Sequence, residues 1–217
     1  MYRAVLFDFG HTLFDNVDPA EHTRTFEAAT GVRVDTAELA SVWAQIRRQS
    51  FLPEELAKQR DLSAELHRSC WMELLAPLDV LAIGLAAHVY EGESSPRGWR
   101  PYPDTHDVLA GLAARNVPIG VVSDTGWDIR GVFVEYGLDK FVGTYVMSYE
   151  HGATKPAPAL FLSACDALRV APRDTLMVGD NHLTDGGAAV AGLGALVLAH
   201  VDDGEPRGLE AALALVG

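Results

Sequence analysis

Acidic or hydroxyl side chains end three apolar runs of this sequence, and a basic side chain stands in a loop between two of those runs. Asp8 ends the first run, Ser123 the second and Asp180 the third. Lys155 lies in a loop between the second and third runs, and Asp185 follows Asp180 after four intervening residues. A carboxylate can act as a nucleophile, a lysine can neutralise an anion, and further carboxylates can hold a metal ion. The set is therefore suited to group transfer from an anionic substrate.

The apolar runs predict the strands that would position these side chains. Short apolar runs bounded by turn residues are typical of strands buried on both faces of a parallel sheet. A strand that stops at a carboxylate delivers it to the carboxyl edge of the sheet, where open α/β folds bind ligands. From Asp104 onward strand and helix patterns alternate, including a small-residue helix at Gly186–Ala191. This alternation predicts a parallel sheet with helices on both faces.

The stretch between the first strand and the alternating part predicts helices, with no convincing strand pattern. Asp18, Asp35 and Ser63 are helix-start signals, since their side chains can accept hydrogen bonds from the first free backbone N–H groups. A largely apolar helix is predicted from Asp79 through Tyr90. The Gly-, Ser- and Pro-rich segment 92–103 then predicts a linker back to the sheet.

The segments resemble, in this order, the four motifs of the haloacid dehalogenase (HAD) superfamily. That superfamily carries a nucleophilic Asp, then a Ser or Thr, then a Lys, and last an acidic loop of the form Gly-Asp-x-x-x-x-Asp. Here these would be Asp8, Ser123, Lys155 and the segment 179–185. The resemblance implies a hydrolase.

The resemblance also implies the architecture. The fold class would be α/β, with a Rossmann-like core of five parallel strands, helices on both faces and an all-helical cap inserted after the first motif. The core would comprise residues 1–15 and 99–217, and the cap residues 16–98. A cap in this place would close over the carboxyl ends of the sheet.

The resemblance assigns a role to each residue of a phosphoryl-transfer site. Asp8 would be the nucleophile and form an aspartyl-phosphate, with Lys155 holding the charge on Asp8 and on the phosphoryl oxygens. Ser123 and the backbone N–H of Asp124 would donate hydrogen bonds to the phosphate. Asp8, Lys155 and Ser123 would thus be the catalytic residues, and Ser123, Asp124 and Lys155 would bind the substrate.

The charges of this set predict a divalent cation. Asp8, Asp180 and Asp185 carry three negative charges against the one positive charge of Lys155, a sum of −2 where a phosphate dianion should bind. A divalent cation brings that sum to zero, and Mg²⁺ is typically held by one or two carboxylates plus waters and substrate oxygens. The resemblance implies Asp8, Asp180 and the main-chain carbonyl of Gly10 as ligands of Mg²⁺, with Asp185 behind them.

Position 10 differs from the residue that most phosphatases of the superfamily carry there. Most phosphatases of the superfamily carry a second Asp two residues after the nucleophile, as general acid/base, and this chain has glycine there. The change should spare a main-chain metal ligand and damage proton transfer, which is worth roughly 10² to 10⁴ in rate. His11 is a candidate replacement acid/base, and the alternative is a solvated turn histidine.

Three functions remain open. The leading interpretation is an enzyme, a Mg²⁺-dependent phosphatase of a small phosphorylated metabolite, with activity reduced or restricted to good leaving groups. One rival is a 2-haloacid dehalogenase, because halide leaves without a proton. Against it stands Asp180, which the metal-independent dehalogenases do not need. The other rival is a phosphate-binding or regulatory protein that has lost turnover.

The composition and the net charge limit the kinds of partner that this protein is expected to bind. A net charge of −13 over 217 residues argues against nucleic acids and anionic membranes. An apolar content of 48% describes a globular chain, and no apolar run approaches the roughly 20 residues of a membrane span. The first strand begins almost at once, which leaves no room for a signal peptide, and Cys70 and Cys165 are expected to be buried thiols. We therefore expect a cytoplasmic monomer or homodimer.

Overall fold

A five-stranded parallel sheet forms the centre of the computed structural model, which describes residues 1–201 and 204–217. The strands in chain order are β1 Ala4–Phe7, β2 Phe14–Asn16, β3 Trp99–Pro101, β4 Ile119–Ser123, β5 Thr144–Met147, β6 Thr175–Gly179 and β7 Gly194–Val197. The sheet has the order β5-β4-β1-β6-β7, and all of its neighbouring strands are parallel. The predicted Rossmann-like α/β fold class is confirmed.

Strand β1 is buried on both faces because its side chains alternate between two apolar clusters. Val5 and Phe7 belong to the cluster on one face, and Leu6 packs with Met177 in the cluster on the other face. Full burial of one such side chain is worth about 1.5 to 3 kcal/mol, and a slip of one residue would exchange the two faces. Packing therefore fixes the register of the strand that leads into Asp8.

Helices cover both faces of the sheet and also form a separate unit. They are α1 Pro19–Thr30, α2 Thr36–Ser50, α3 Pro53–Leu56, α4 Ala64–Leu75, α5 Leu78–Leu81, α6 Leu85–Glu93, α7 Thr105–Ala114, α8 Arg130–Glu135, α9 Ser148–His151, α10 Pro158–Leu168 and α11 Glu210–Leu215. Residues of α7 and α11 pack into the same cluster as Val5, while residues of α10 pack with Leu6. Covering both faces is what a sheet of purely parallel strands requires.

The helices α1 to α6 lie between β2 and β3, and we call residues 17–98 the insertion. They bury an apolar cluster of their own, which includes Phe26, Leu74 and Leu85. Strands β2 and β3 pair antiparallel, so the chain enters and leaves the insertion side by side. The separate cluster supports the predicted division into core and cap, which stays a prediction.

The insertion contacts the core at the loop that follows β4. Gly126 approaches α4 so closely that a Cβ at this position would overlap the side chain of His67. Ser148, the first residue of α9, donates a hydrogen bond from its hydroxyl to the backbone carbonyl of Asp61 at 2.6 Å. Because a larger residue at position 126 would push α4 away, glycine is needed for this contact.

Several details of the predicted secondary structure are wrong. The helix expected from Asp79 to Tyr90 is two helices, α5 and α6, because Ala82 is extended and Gly84 has a φ of 89°. Residues Gly186–Ala191 form a 3-10 helix, in keeping with the low helix propensity of their glycines. The predicted linker 92–103 contains the strand β3, which pairs with β2; at three residues each, both strands are too short to show a strand pattern.

Other local expectations are confirmed. Asp18, Asp35 and Ser63 each accept a hydrogen bond from a backbone N–H in the first turn of their helix. Cys70 and Cys165 are free and buried. Among the described residues, no helix combines the length and the apolar character needed to cross a membrane.

Asp104 ties the segment around Arg207 to the core. Its carboxylate accepts the backbone N–H groups of Arg207, Gly208 and Leu209 at 2.8 to 2.9 Å. The Arg207 side chain, in a residue that is 4% exposed, donates from Nε to the carbonyl of His11 at 2.6 Å. Asp104 therefore supports, through Arg207, the turn that follows Asp8.

We expect Asp104→Ala to lower the free energy of unfolding by about 2 to 4 kcal/mol, because several backbone N–H groups would lose a charged acceptor. Urea unfolding measures the change. Asp107→Ala, in the same helix start but with a side chain 91% exposed, is the matched control and should stay within about 0.5 kcal/mol. Equal effects of the two substitutions would contradict the role given to Asp104.

Candidate active site

Asp8, Ser123 and Asp180 meet at the carboxyl edge of the sheet because their strands are neighbours. Asp8 directly follows β1, Ser123 ends β4 and Asp180 directly follows β6. The chain leaves β1 toward one edge of the sheet and later returns to build the other edge, so β1 lies at the switch in strand order where such folds bind ligands. The structure thus brings together the strand-end residues that the sequence singles out.

Lys155 is the cation at the centre of this site. Its Nζ lies 2.5 Å from Asp8 Oδ1 and 2.6 Å from Asp185 Oδ1, and its side chain is 3% exposed. Burial lowers the pKa of this lysine, but the charges of Asp8, Asp185 and Asp124 outweigh burial and raise it above its ordinary value. Lys155 is therefore positively charged at neutral pH.

The carboxyl group of Asp8 has a pKa raised to about 7. Burial is the largest cause, since a residue only 8% exposed leaves its charge poorly solvated. Lys155 lowers this pKa, whereas Asp185 and Asp180 raise it. Burial therefore outweighs the attraction of Lys155, and the repulsion from Asp185 and Asp180 adds to the effect of burial.

The acidic loop is folded around the carboxylate of Asp185, which is 1% exposed. Its Oδ2 accepts the backbone N–H of Asn181 at 3.0 Å, while Oδ1 faces Lys155. A Cβ on Gly179 would overlap this carboxylate, so the glycine before Asp180 is required by close approach. Both oxygens of Asp185 are engaged, which makes it a support of the site.

Asp8, Asp180 and Asp185 could together hold a metal ion. One carboxylate oxygen from each lies within 4.8 Å of those of the others. Burial also raises the pKa of Asp180, so a cation would relieve an unfavourable charge there as well. A donor set made only of carboxylate oxygens suits a hard cation such as Mg²⁺ better than zinc.

Ser123 and Asp124 occupy the loop beside Lys155. Ser123 is 3% exposed at the end of β4. The carboxylate of Asp124 accepts the backbone N–H of Lys155 at 2.9 Å, and burial raises the pKa of this carboxyl group. The sequence predicts only the backbone N–H of Asp124 as a functional group, and its side chain has the further task of positioning the lysine loop.

The indole of Trp99 lies against the place where the Cβ of a residue at position 10 would stand. A Cβ built on Gly10 would lie 3.4 Å from the Cη2 and Cζ3 atoms of the indole. The ring is held in place, because Nε1 donates to the carbonyl of Glu93 at 2.7 Å and the ring packs on Phe9 with centroids 4.6 Å apart. The space beside Gly10 is therefore bounded by an aromatic ring.

His11 stands at the edge of the acidic site. Its Nδ1 lies 3.1 Å from Asp15 Oδ1, and its side chain is 56% exposed. The hydrogen bond with Asp15 is the main cause that raises the pKa of His11, and the charges of Asp180 and Asp8 act in the same direction. The backbone of His11 has a φ of 56°, and its carbonyl is held by Arg207.

The sequence analysis does not identify Trp99 or Arg207 as residues near the site. Neither adjoins one of the four motifs, and each reaches the turn after Asp8 from a distant part of the chain. A tryptophan in a linker and an arginine in a loop carry no pattern that would have marked them.

Residues 2–192 match the family model described as haloacid dehalogenase-like hydrolase. This match covers most of the chain, which therefore belongs to the haloacid dehalogenase-like hydrolase family.

Curated relatives agree with this assignment. The chain is 28% identical, over 101 residues, to haloacid dehalogenase-like hydrolase domain-containing protein 3 of Danio rerio, which covers 46% of this chain and 42% of that protein. It is 26% identical, over 188 residues, to glyceraldehyde 3-phosphate phosphatase of Methanopyrus kandleri, which covers 83% of this chain and 76% of the relative. The chain spans less than half the length of most of the curated relatives it matches.

A solved structure shows the same fold. A dehalogenase with an intermediate complex superposes with a TM-score of 0.70 at 19% identity, over 99% of this chain and 97% of that one. At this identity the likeness concerns the fold alone.

We expect Asp8→Asn to stabilise the metal-free protein at pH 8. The folded-state pKa of Asp8 is about 7 against an ordinary value of 3.8, so its ionised form opposes folding. This destabilisation is nearly absent below the ordinary pKa and grows as the pH rises toward 7. The gain from Asn should be on the order of 1 to 3 kcal/mol at pH 8 and small at pH 4.

Scanning calorimetry in a chelator at the two pH values measures this gain. Asp107→Asn removes an equal charge from a side chain that is 91% exposed and is the control. A destabilisation by Asp8→Asn at pH 8 would show that the attraction of Lys155 outweighs burial at this site.

Proposed function

We propose that this protein is a Mg²⁺-dependent phosphatase that acts on a small phosphorylated metabolite through an aspartyl-phosphate at Asp8. One observation carries the proposal: Asp8 lies at the carboxyl end of the central strand with Lys155 at 2.5 Å and with Asp180 within reach of a shared cation. The phosphatase name of the relative from Methanopyrus kandleri supports a phosphorylated substrate.

The chemistry of the first step falls to Asp8 and its neighbours. A carboxylate oxygen of Asp8 attacks phosphorus, and the bond from phosphorus to the leaving-group oxygen breaks. Oδ1 of Asp8 is held by Lys155, whereas Oδ2 has only a loose contact of 3.5 Å with the Thr12 hydroxyl, so Oδ2 is the better placed nucleophile. Lys155, Ser123 and the N–H of Asp124 neutralise and orient the phosphoryl oxygens. Water then releases phosphate from Asp8.

The cation would be held by Asp8, Asp180 and the main-chain carbonyl of Gly10. When bound, Mg²⁺ supplies positive charge to the phosphoryl oxygens and to the carboxylates around them. Asp185 would keep Lys155 and the acidic loop in place, since both of its oxygens are already engaged. The charge sum of −2 on these acids and Lys155 would then become zero.

Protonation of the leaving group is the step that this chain is least equipped to perform. Gly10 has no side chain, and the indole of Trp99 borders the space where one would begin. His11 is the candidate donor, with Asp15 orienting its ring at 3.1 Å. Substrates whose leaving groups depart as stable anions do not need that proton, and we infer that they are the better substrates.

We expect phosphate release from p-nitrophenyl phosphate and acetyl phosphate in the presence of Mg²⁺, and its loss in a chelator. Asp8→Asn should lower the rate by at least about 10³-fold, because it removes the nucleophile. Asp107→Asn removes an equal charge from a side chain that is 91% exposed, and this control should match the wild type.

Two further measurements, of chloride release and of phosphate binding, separate the rival functions. Release of chloride from 2-chloropropionate, with no phosphate release and no need for Mg²⁺, would favour a dehalogenase. Binding of phosphate without turnover on any compound would favour a regulatory phosphate-binding protein.

We expect Gly10→Asp alone to gain little, because the Trp99 ring, in van der Waals contact with the new Cβ, limits the directions in which the carboxylate can point. The double variant with Trp99→Phe should gain activity on an alkyl ester such as glycerol 2-phosphate, by up to about 10² to 10⁴-fold. Activity on p-nitrophenyl phosphate should change much less. The ratio of kcat/KM values for the two esters measures the effect.

Trp99→Phe alone controls for the loss of the indole. An equal gain on both esters would show that proton donation is not what limits the site. Strong wild-type activity on the alkyl ester, abolished by His11→Asn, would instead identify His11 as the proton donor.

A further inference from the structure

Asp61 is a residue of the insertion that is connected, through the hydroxyl of Ser148, to the loop after β4. It lies in the 3-10 turn Arg60–Leu62 just before α4. Its backbone carbonyl accepts a hydrogen bond from the hydroxyl of Ser148 at 2.6 Å, and the same hydroxyl oxygen accepts the backbone N–H of Thr125 at 2.9 Å. Thr125 comes two residues after Ser123, so the turn that carries Asp61 is anchored beside the proposed phosphate-binding loop.

The carboxylate of Asp61 is half-buried, with 25% of its side chain exposed. The charges that act on it from the core are those of Asp124 and Lys155, which belong to the candidate active site. Burial raises the pKa of this carboxyl group to about 6, so its ionised form is poorly stabilised near neutral pH. A cation placed against it would remove that disadvantage.

Within the insertion, the charge of Arg60 lowers the pKa of Asp61, but neither Arg60 nor His67 forms a charged ion pair with it. His67 Nε2 lies 3.7 Å from Asp61 Oδ1, but burial and the charge of Arg60 lower the pKa of His67 to about 4, so the ring is neutral. Arg60 donates to the carbonyl of Ser50 at 3.2 Å and stacks over Trp71 at 4.7 Å from the ring centroid. On α9, Glu150 is acidic and already pairs with Arg130. Among the described residues, Asp61 has no ion pair with a charged partner.

We propose that Asp61 is a specificity residue that binds a protonated amine on the part of the substrate that leaves with the ester oxygen. This inference rests on the proposed phosphatase function. A phosphoryl group held by Lys155 and Ser123 would leave the rest of a small substrate beside the loop after β4, where the turn that carries Asp61 is anchored. Substrates with a carboxylate at that point are disfavoured, because Asp61 and Asp124 would repel it.

Phosphonates test this preference without any need for turnover, because their carbon–phosphorus bond is not hydrolysed. The probes are 2-aminoethylphosphonate, ethylphosphonate and phosphonoacetate, which share a phosphonate and differ in a cationic, neutral or anionic end. Calorimetric titration into the Mg²⁺-loaded protein gives their dissociation constants. We expect wild-type protein to bind the aminoethyl compound roughly 10- to 100-fold more tightly than ethylphosphonate, as for a charged hydrogen bond, and phosphonoacetate most weakly.

Asp61→Asn keeps the shape of the side chain and removes its charge. The ratio of the dissociation constants of ethylphosphonate and the amine should fall to within about threefold of unity, because only an uncharged contact would remain. Glu54→Gln removes an equal charge from an exposed position of the insertion and is the control, which should keep the wild-type preference. The preference of the wild type can be measured even if the Asp61 variant does not fold.

The possible outcomes distinguish failure of the phosphate site from failure of the role proposed for Asp61. If none of the phosphonates binds, the phosphate site itself is refuted together with the proposed function. If they bind but the wild type shows no preference for the amine, or if Asp61→Asn and Glu54→Gln lower it equally, the role of Asp61 is refuted while the phosphatase proposal stands. Loss of hydrolysis of alkyl esters in Asp61→Asn, with the amine preference intact, would also overturn it and assign Asp61 to proton transfer.

Discussion

The contact of one buried ammonium with two carboxylates is the constraint on which the site depends. Lys155 lies between Asp8 and Asp185, and each of the three is buried. Each neighbouring feature serves this contact: Asp124 holds the backbone of the lysine, and the absence of a side chain at Gly179 lets Asp185 approach. The pKa of Asp8 stays raised all the same, so the fold tolerates an unfavourable charge at the residue that we propose as the nucleophile.

The parts of this architecture that sequence reasoning predicts are local. Apolar runs mark β1, β4 and β6, and a polar residue at the end of each run must lie at the same edge once the strands are parallel neighbours. Helix starts at Asp18, Asp35 and Ser63 are equally local, since each cap involves only the next few residues. The resemblance to a known family supplied the number of strands in the core, the place of the insertion and the proposed roles of the residues.

The parts that sequence reasoning misses are contacts between distant segments. Trp99 beside Gly10, Arg207 on the His11 carbonyl and Asp61 beside the β4 loop each depend on how separate units pack. No periodicity encodes them, because each involves a single side chain in a loop, a linker or a short turn. The break between α5 and α6 is a milder case, in which one extended residue and one glycine override an apolar pattern.

Asp8 and Lys155 are far apart in sequence, so they leave the ribosome at different times. The lysine is made 147 residues after the aspartate, which at ribosomal speeds of about 5 to 20 residues per second is a delay of roughly 7 to 30 s. During that time β1 also lacks β6, one of the two strands between which it packs. A nascent chain therefore carries Asp8 without its counter-charge, and the cluster of Asp8, Lys155 and Asp185 can only be assembled late in synthesis.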